Sequence, residues 1–135
     1  MKTKFAKIWA IVFLGVMLGA CGGAQKGGLS SEQYNAAPLT VPIPQGLDNT
    51  AVIGAAEKAL LGRKWRIISK SGDEVVGNLM HRSWDATVTI RIEGDRAVLY
   101  SDAMFDGPHE EGPIPGVPRS WLNNIQRDMV ENFSS

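Results

Sequence analysis

Only two histidines occur in this chain of 135 residues, and one of them stands in an acidic stretch. His109 is followed by Glu110 and Glu111, and side chains of these types bind metal ions. No second cluster of such residues completes a metal site, so we interpret the stretch as a solvated acidic loop. His81, which precedes Arg82, is better explained as the end of a strand. We therefore expect no metal and no other cofactor.

Sequence patterns for nucleophilic or phosphate chemistry are also missing. No serine lies in a Gly-x-Ser-x-Gly motif, which would present its hydroxyl on a strained turn. The glycine pairs Gly22-Gly23 and Gly27-Gly28 precede no helical segment, so they do not predict a phosphate-binding loop. We expect a protein that is not an enzyme. A Ser/His/Asp triad assembled by the fold, as in a hydrolase, stays a third functional alternative.

The first twenty residues have the pattern of an export signal. Lys2, Lys4 and Lys7 form a positive start, and residues 8–18 form an uncharged apolar run. This run is too short to cross a bilayer, which takes about 20 apolar residues. Positive residues, a short apolar run and small residues are together typical of a cleaved secretory signal. We predict a signal peptide at residues 1–20, and the alternative is an uncleaved N-terminal anchor.

The end of this run, Leu18-Gly19-Ala20-Cys21, resembles the lipobox of bacterial lipoproteins. The resemblance implies that a dedicated peptidase cuts before Cys21, the only cysteine of the chain. It also implies a diacylglycerol on the thiol and an acyl group, such as palmitate, on the new N-terminus. Two or three acyl chains hold a protein on a membrane where one would not. Gly22 stands where Asp would resemble an inner-membrane retention signal, so we expect the periplasmic face of the outer membrane if the cell has two membranes.

Removal of the signal would leave residues 21–135, with eleven Lys and Arg against fourteen Asp and Glu. The resulting net charge of −3, with His neutral, and the lack of a basic cluster indicate that nucleic acid is not a partner. Binding to phosphates depends on grouped Lys and Arg side chains. A chain of this length is expected to form one domain.

We divide the exported chain into a lipidated tether at residues 21–49 and a single domain at residues 50–135. Residues 22–35 are rich in Gly, Ser, Gln and Lys, a composition typical of a flexible linker. Residues 36–49 carry three prolines among apolar residues. This pattern allows either an extended segment on the edge of a sheet or a disordered one.

Hydrophobic periodicity in the domain predicts an α+β fold with the element order α-β-β-β-β-α. The strands would form a four-stranded antiparallel meander, and both helices would pack on one face of it, giving two layers. Gly62 is expected to end the first helix and Pro118 to open the last one. The predicted elements are a helix at residues 50–61, hairpins at 64–70 with 74–82 and at 86–93 with 96–102, a Gly/Pro-rich loop at 103–117, and a helix at 119–133.

The second hairpin has a predicted register. A two-residue turn at Gly94-Asp95 pairs Glu93 with Arg96 and Ile90 with Leu99, so that opposite charges and apolar side chains meet. The register of the first hairpin stays open, because adjacent apolar residues in both strands allow either face to be buried. The open face of the second hairpin, turned away from the helices, would carry Thr87, Thr89, Arg91, Val98 and Tyr100.

The domain also resembles a group of small bacterial lipoproteins of unassigned function. The resemblance rests on Trp65 at the start of a strand, Tyr100 in the last strand and the segment Trp121-Leu122-Asn123-Asn124-Ile125, which is similar to the pattern W-[IV]-x-N-[LI]. It spans roughly residues 50–130. It implies a helix, a meander and a closing helix, and it carries no activity, because the group has none assigned.

Two functional hypotheses follow from these observations. In the first, a lipid-anchored protein of the cell envelope, without enzymatic activity, contacts another envelope component through the open face of its sheet. Tyr100 and Arg91 are the candidate contact residues on that face. In the second, a cleft between the loop at residues 103–118 and the closing helix binds a small ligand.

Three residues are candidates for this second, small-ligand hypothesis: Phe105, Trp121 and Asn124. The closing helix is predicted to turn a stripe of apolar residues to the core: Leu122, Ile125, Met129 and Phe133. Asn124 lies beside this stripe, where an amide needs partners. We expect it to hydrogen-bond the backbone of the long loop, so that Asn124→Ala lowers stability. Trp65 and Trp121 are predicted in the core or at its edge, whereas Trp84, in a turn, could equally well face a ligand.

Overall fold

The structure is a computed structural model that describes residues 30–108 and 112–134. Within these residues the chain has an α+β fold, with three helices and one sheet of six antiparallel strands. The helices are α1 at Ser31–Ala36, α2 at Asn49–Gly62 and α3 at Arg119–Phe133. The strands are β1 at Leu39–Pro42, β2 at Arg66–Lys70, β3 at Glu74–His81, β4 at Trp84–Glu93, β5 at Arg96–Phe105 and β6 at Ile114–Gly116.

The sheet is larger than the predicted four-stranded meander. Strands β2 to β5 form that meander, in the order β5-β4-β3-β2, and two further short strands pair with the outer edge of β5. Strand β1 pairs with its first half and β6 with its last three residues. Both additions contain a proline, Pro42 and Pro115, which is tolerated at an edge because one side of the strand needs no hydrogen-bond partner. The extended alternative for residues 36–49 is therefore correct for β1.

The predicted register of the second hairpin is confirmed. Glu93 lies opposite Arg96 and Ile90 opposite Leu99. The turn begins at Gly94, whose φ of 68° is the conformation that glycine adopts without a steric penalty.

The structure also decides the register of the first hairpin. A bulge follows Ile67, so that Ile67 lies opposite Gly77 while Ser69 lies opposite Val76. Ile67 packs against the core, and Ile68, within the bulge, is 55% exposed. The two adjacent isoleucines could not both be buried, and the bulge sets which one is.

The core lies between the sheet and the two long helices. Val88, Ile90 and Leu99 of the central strands are fully buried, as is Leu60 of α2. One face of α3 joins them through the predicted stripe, in which Leu122, Ile125 and Met129 are buried. These side chains belong to a single hydrophobic cluster, and burial of such side chains contributes about 1.5–3 kcal/mol each.

Helix α2 ends differently from the prediction. Gly62 is its last residue, but the residue in the left-handed conformation is Lys64, with φ of 70°. The amide of Lys64 donates to the carbonyl of Leu61, and the amide of Trp65 donates to the carbonyl of Leu60, both at 3.0 Å. This is the Schellman arrangement, in which the left-handed position is usually occupied by glycine.

The described part of the predicted tether belongs to the domain. Ser30 and Gln33 form a reciprocal capping box that starts α1, and Tyr34 is only 2% exposed. The Tyr34 hydroxyl donates to the carbonyl of Leu99 at 2.8 Å and accepts from the amide of Leu39 at 3.0 Å. The polar composition of residues 22–35 suggested a linker, but one buried aromatic side chain attaches the described helix α1 to β5.

The predicted signal peptide and Cys21 lie outside the described residues. Among the residues that are described, no helix is long and apolar enough to cross a membrane.

Candidate functional site

A cleft of about 270 Å³ opens between the end of α2, the end of β3 and the start of α3. We call it the tryptophan cleft. Because its walls come from three separated stretches of the chain, the pairing of β2 with β3 and the packing of α2 on α3 both contribute to its shape. Its lining residues are Arg63, Lys64, Trp65, Leu79, His81, Trp121 and Asn124.

Aromatic side chains form the apolar part of the cleft. The rings of Trp65 and Trp121 meet edge to face, with centroids 6.1 Å apart and planes at 86°, a favourable geometry for aromatic pairs. Trp65 is 3% exposed and belongs to the core, whereas Trp121 is half-buried. The imidazole of His81 lies 6.2 Å from the Trp121 ring. Trp65 and Trp121 are therefore in the core and at its edge, as predicted, and Trp121 also faces the cleft.

Two further aromatic side chains, Trp84 and Phe105, extend the aromatic cluster next to Trp121. Trp84 lies 6.2 Å from Trp121 and 5.0 Å from Phe105. Strand β6 approaches Trp84 so closely that a Cβ at Gly116 would come within 2.9 Å of its ring. A side chain at position 116 would therefore displace the Trp84 ring, so a glycine is favoured there.

Two cations at the cleft adopt an unusual backbone conformation. Lys64 and Arg82, with φ of 70° and 57°, are the only residues other than glycine that have positive φ in the described part of the chain. Lys64 lines the cleft, and Arg82 donates from Nε to Nε2 of His81, another lining residue, at 3.3 Å. A left-handed residue with a side chain costs on the order of 1–2 kcal/mol. Such strain is concentrated at functional sites.

The third cation of the cleft is neutralised within the protein. Arg63 donates from Nε and Nη2 to the two carboxylate oxygens of Asp128, at 2.7 and 3.2 Å. This bidentate pair raises the pKa of Arg63 and lowers that of Asp128. In contrast, Lys64 and Arg82 form no ion pair with any described residue. Lys64 at the cleft and Arg82 beside His81 are therefore cations without a carboxylate partner among the described residues.

Asn124 makes no hydrogen bond to the described residues of the long loop, in contrast to the prediction. Its Oδ1 accepts from Nη2 of Arg127 on the same helix at 2.9 Å, and its Nδ2 donates to no described residue. The residue is half-buried and lines the cleft. The prediction was wrong because the loop side of α3 is occupied by Trp121 and Trp84, while Asn124 lies on the side towards α2.

The predicted site residues separate into two groups. Trp121 and Asn124 lie at the tryptophan cleft, and Phe105 reaches it indirectly, through Trp84. Tyr100 and Arg91 lie on the other face of the sheet. The cleft predicted between the loop at residues 103–118 and the closing helix stays a prediction. The tryptophan cleft borders the same helix, but residues 63–65, 79 and 81 line its other side.

Tyr100 and Arg91 form a polar network on the open face of the sheet. The guanidinium of Arg91 lies 5.4 Å from the Tyr100 ring centroid, and it pairs with Glu74 at 2.8 Å. The Tyr100 hydroxyl donates to Glu93 at 2.5 Å, and this hydrogen bond raises the pKa of Tyr100. Because these groups satisfy one another, they offer few free donors or acceptors to a ligand.

Sequence reasoning missed Lys64, Arg82 and the position of His81 beside Trp121. The alternation of apolar residues identifies strands but says nothing about a left-handed residue at a helix end. Lys64 stands two residues after Gly62, the last residue of α2, at the position where glycine is preferred.

Metal ligands do not assemble among the described residues, where no three His, Cys, Asp or Glu side chains come together. The stretch His109-Glu110-Glu111 lies outside the described residues. Comparisons of the chain with protein-family models, with curated proteins and with solved structures found no match.

Proposed function

We propose that this chain is a lipid-anchored lipoprotein of the bacterial cell envelope that acts by binding rather than by catalysis. Its domain binds an envelope component of small size, or a small group on a larger one, in the tryptophan cleft. The observation that carries the proposal is the cleft itself, in which aromatic rings and polar side chains converge on one space. Sites for small ligands have this combination of an apolar lining and a few placed polar groups.

The anchor is supported by the N-terminal sequence. The positive start, the short apolar run and the resemblance of Leu18-Gly19-Ala20-Cys21 to a lipobox favour acyl chains on Cys21. Gly22 favours the periplasmic face of the outer membrane in a cell with two membranes. No nucleic acid and no cofactor are part of the proposal.

The position of α1 sets how far the domain can stand from the bilayer. Because α1 begins at Ser31 with its cap at Ser30, only nine residues, 22–30, follow a lipidated Cys21 before the helix. At 3.3–3.6 Å per residue they reach about 30 Å. The proposed anchor would therefore keep the domain close to the membrane surface, where a ligand exposed on the envelope is within reach.

A second candidate function places a protein partner on the open face of the sheet. We propose that the domain has two layers, with α2 and α3 on one face and the other face free for contact. Met80 and Met104 flank Asp85 in one row across β3, β4 and β5 on this face, and they are 68% and 37% exposed. Exposed methionines are common on adaptable binding surfaces.

Photocrosslinking in intact cells distinguishes the two candidates. A photoreactive side chain at Asn124 reports on the cleft, and one at Met80 reports on the open face. We expect an adduct from Asn124 that is lost when Trp121→Leu is added, because that substitution removes a wall of the cleft. An adduct from Met80 alone would favour the protein partner, and no adduct from either position would contradict the proposed function.

A further inference from the structure

We infer that the tryptophan cleft binds an anion attached to a ring: a carboxylate or phosphate group on a ring-bearing compound. The inference rests on the proposed function and adds the chemical class of the ligand. Three features favour such a ligand: the two left-handed cations, the exposed part of the aromatic cluster, and the Nδ2 group of Asn124, which donates to no described residue.

The left-handed conformation of Lys64 has no structural need for a lysine. Its backbone completes the Schellman arrangement, and glycine would make the same two hydrogen bonds without a clash at Cβ. The backbone conformation of Arg82 does not require an arginine either. Arg82 is the first residue of the two-residue turn between His81 and Trp84, where glycine is also suitable. At both places a cation occupies a position that suits glycine. Lys64 lines the tryptophan cleft, and Arg82 is attached to it through its hydrogen bond to His81, a lining residue. A function that needs positive charge there accounts for this coincidence.

The positive charge of the cleft is available to a ligand. Asp128 already neutralises Arg63, and it holds that guanidinium beside the cleft through two hydrogen bonds. Lys64 and Arg82 have no carboxylate partner among the described residues. Charge-assisted hydrogen bonds from such groups to carboxylate or phosphate are about twice as strong as neutral ones. The cleft therefore favours an anion over a neutral or cationic group.

The aromatic side chains of the cleft favour a ring in the ligand. Trp121 is half-buried, and its edge contact with Trp65 fixes the orientation of the ring. Rings stack on or against such side chains, and Asn124 Nδ2 can donate to an oxygen at the far end. A volume of about 270 Å³ is just below the range of about 300–1,000 Å³ typical of small-molecule sites. The ligand is therefore small, or it is a terminal group of a larger molecule.

Phenyl phosphate is the probe for this inference, because it joins one ring to one anionic group. The full-length chain in mild detergent is titrated with phenyl phosphate, with inorganic phosphate and with phenol, and tryptophan fluorescence is recorded. Three of the four tryptophans belong to the aromatic cluster, so occupation of the cleft should change the signal. We expect saturable binding of phenyl phosphate that weakens with salt. Inorganic phosphate and phenol should each bind at least about tenfold more weakly than phenyl phosphate.

Two variants test the role of the cations. Lys64→Gly and Arg82→Gly remove charge at positions where the backbone suits glycine, so both should fold with an equal or higher melting temperature. Each should bind phenyl phosphate about tenfold more weakly, the loss of one charge-assisted contact. Arg96→Ala is the matched control, because Arg96 is an exposed cation at the opposite end of the sheet. It should bind as the unmodified chain does.

The results separate this inference from the proposed function. If Lys64→Gly and Arg82→Gly bind phenyl phosphate as tightly as Arg96→Ala, or if no saturable binding occurs, the anion inference is overturned. The proposed function would still stand if Asn124 gave its Trp121-dependent adduct, because the ligand would then be neutral. The source of the natural ligand is identified by competition with phenyl phosphate. Competition by a low-molecular-weight extract indicates a free small molecule, and competition by a dialysed envelope-polymer fraction indicates a group on a polymer. Competition by neither fraction would also overturn the inference.

Discussion

The side chain of Asn35 makes a closed pair of hydrogen bonds with the backbone of Ser101. Its Nδ2 donates to the Ser101 carbonyl, and its Oδ1 accepts from the Ser101 amide, both at 2.9 Å. Strands β1 and β6 pair with the two ends of β5, and this amide takes the place of a strand between them. A side chain of the predicted tether therefore completes the edge of the sheet.

We expect Asn35→Ala to destabilise the domain. The substitution leaves the Ser101 amide and carbonyl without partners, and Ser101 is 3% exposed. Loss of two such hydrogen bonds should cost about 1–3 kcal/mol. Urea unfolding of the chain measures it, and Asn123→Ala, at an exposed position of α3, is the control. Equal stability of the two variants would show that α1 is not held as described.

The assignment of the two faces of β4 predicts opposite results for neighbouring substitutions. Ile90 is fully buried, so Ile90→Asp would place an unpaired carboxylate in the core and should cost more than about 4 kcal/mol. Thr89 lies on the open face and is half-buried, so Thr89→Asp should cost much less. Thermal melts of both variants decide the point. Similar losses at the two positions would contradict the assignment.

The ion pair between Arg63 and Asp128 should make a pH-dependent contribution to stability. Folding lowers the pKa of Asp128, mainly through the hydrogen bond from Arg63. The contribution is therefore present above the ordinary carboxyl value of about 3.9 and is lost as the pH falls through the lower folded value. Asp128→Asn should lower the melting temperature at pH 7 but not at pH 2. Asp102→Asn, at an exposed carboxylate, should show no such difference.

Asn124→Ala should separate binding from stability. The sequence-based prediction was a stability loss, but the structure shows one hydrogen bond, to Arg127 on the helix surface. We now expect the free energy of unfolding to change by less than about 0.5 kcal/mol, while binding in the tryptophan cleft is weakened. Denaturation and a phenyl phosphate titration on the same sample measure both quantities. A large loss of stability with unchanged binding would return Asn124 to a structural role.

Cys21→Ser tests the proposed anchor. A serine cannot carry a thioether-linked diacylglycerol, so the chain should stay an unprocessed precursor without lipid. Labelling of growing cells with a radioactive fatty acid measures incorporation into the chain. Label on the serine variant at the level of the unmodified chain would show that the resemblance to a lipobox is misleading.

Local sequence determined the meander and its central register. The register of β4 and β5 depends on alternating apolar residues and on the turn at Gly94. These residues are close together in the chain, so the sequence alone predicts how they pair. Helices α2 and α3 follow from periodicity in the same way. The stripe of Leu122, Ile125 and Met129 was predicted correctly because a helix repeats at a fixed interval.

Tertiary structure alone decided that α1 packs on the sheet and where the cleft lies. Tyr34 and Asn35 bind residues 65 and 66 positions further along the chain, and no local pattern predicts such a contact. The tryptophan cleft likewise joins Lys64, His81 and Trp121 from three elements, and its strained cations depend on how a helix end and a turn are built. The spacing of apolar residues in the sequence indicates which face of a helix or strand is buried. Which faces meet, and what space is left between them, depends on packing between distant parts of the chain.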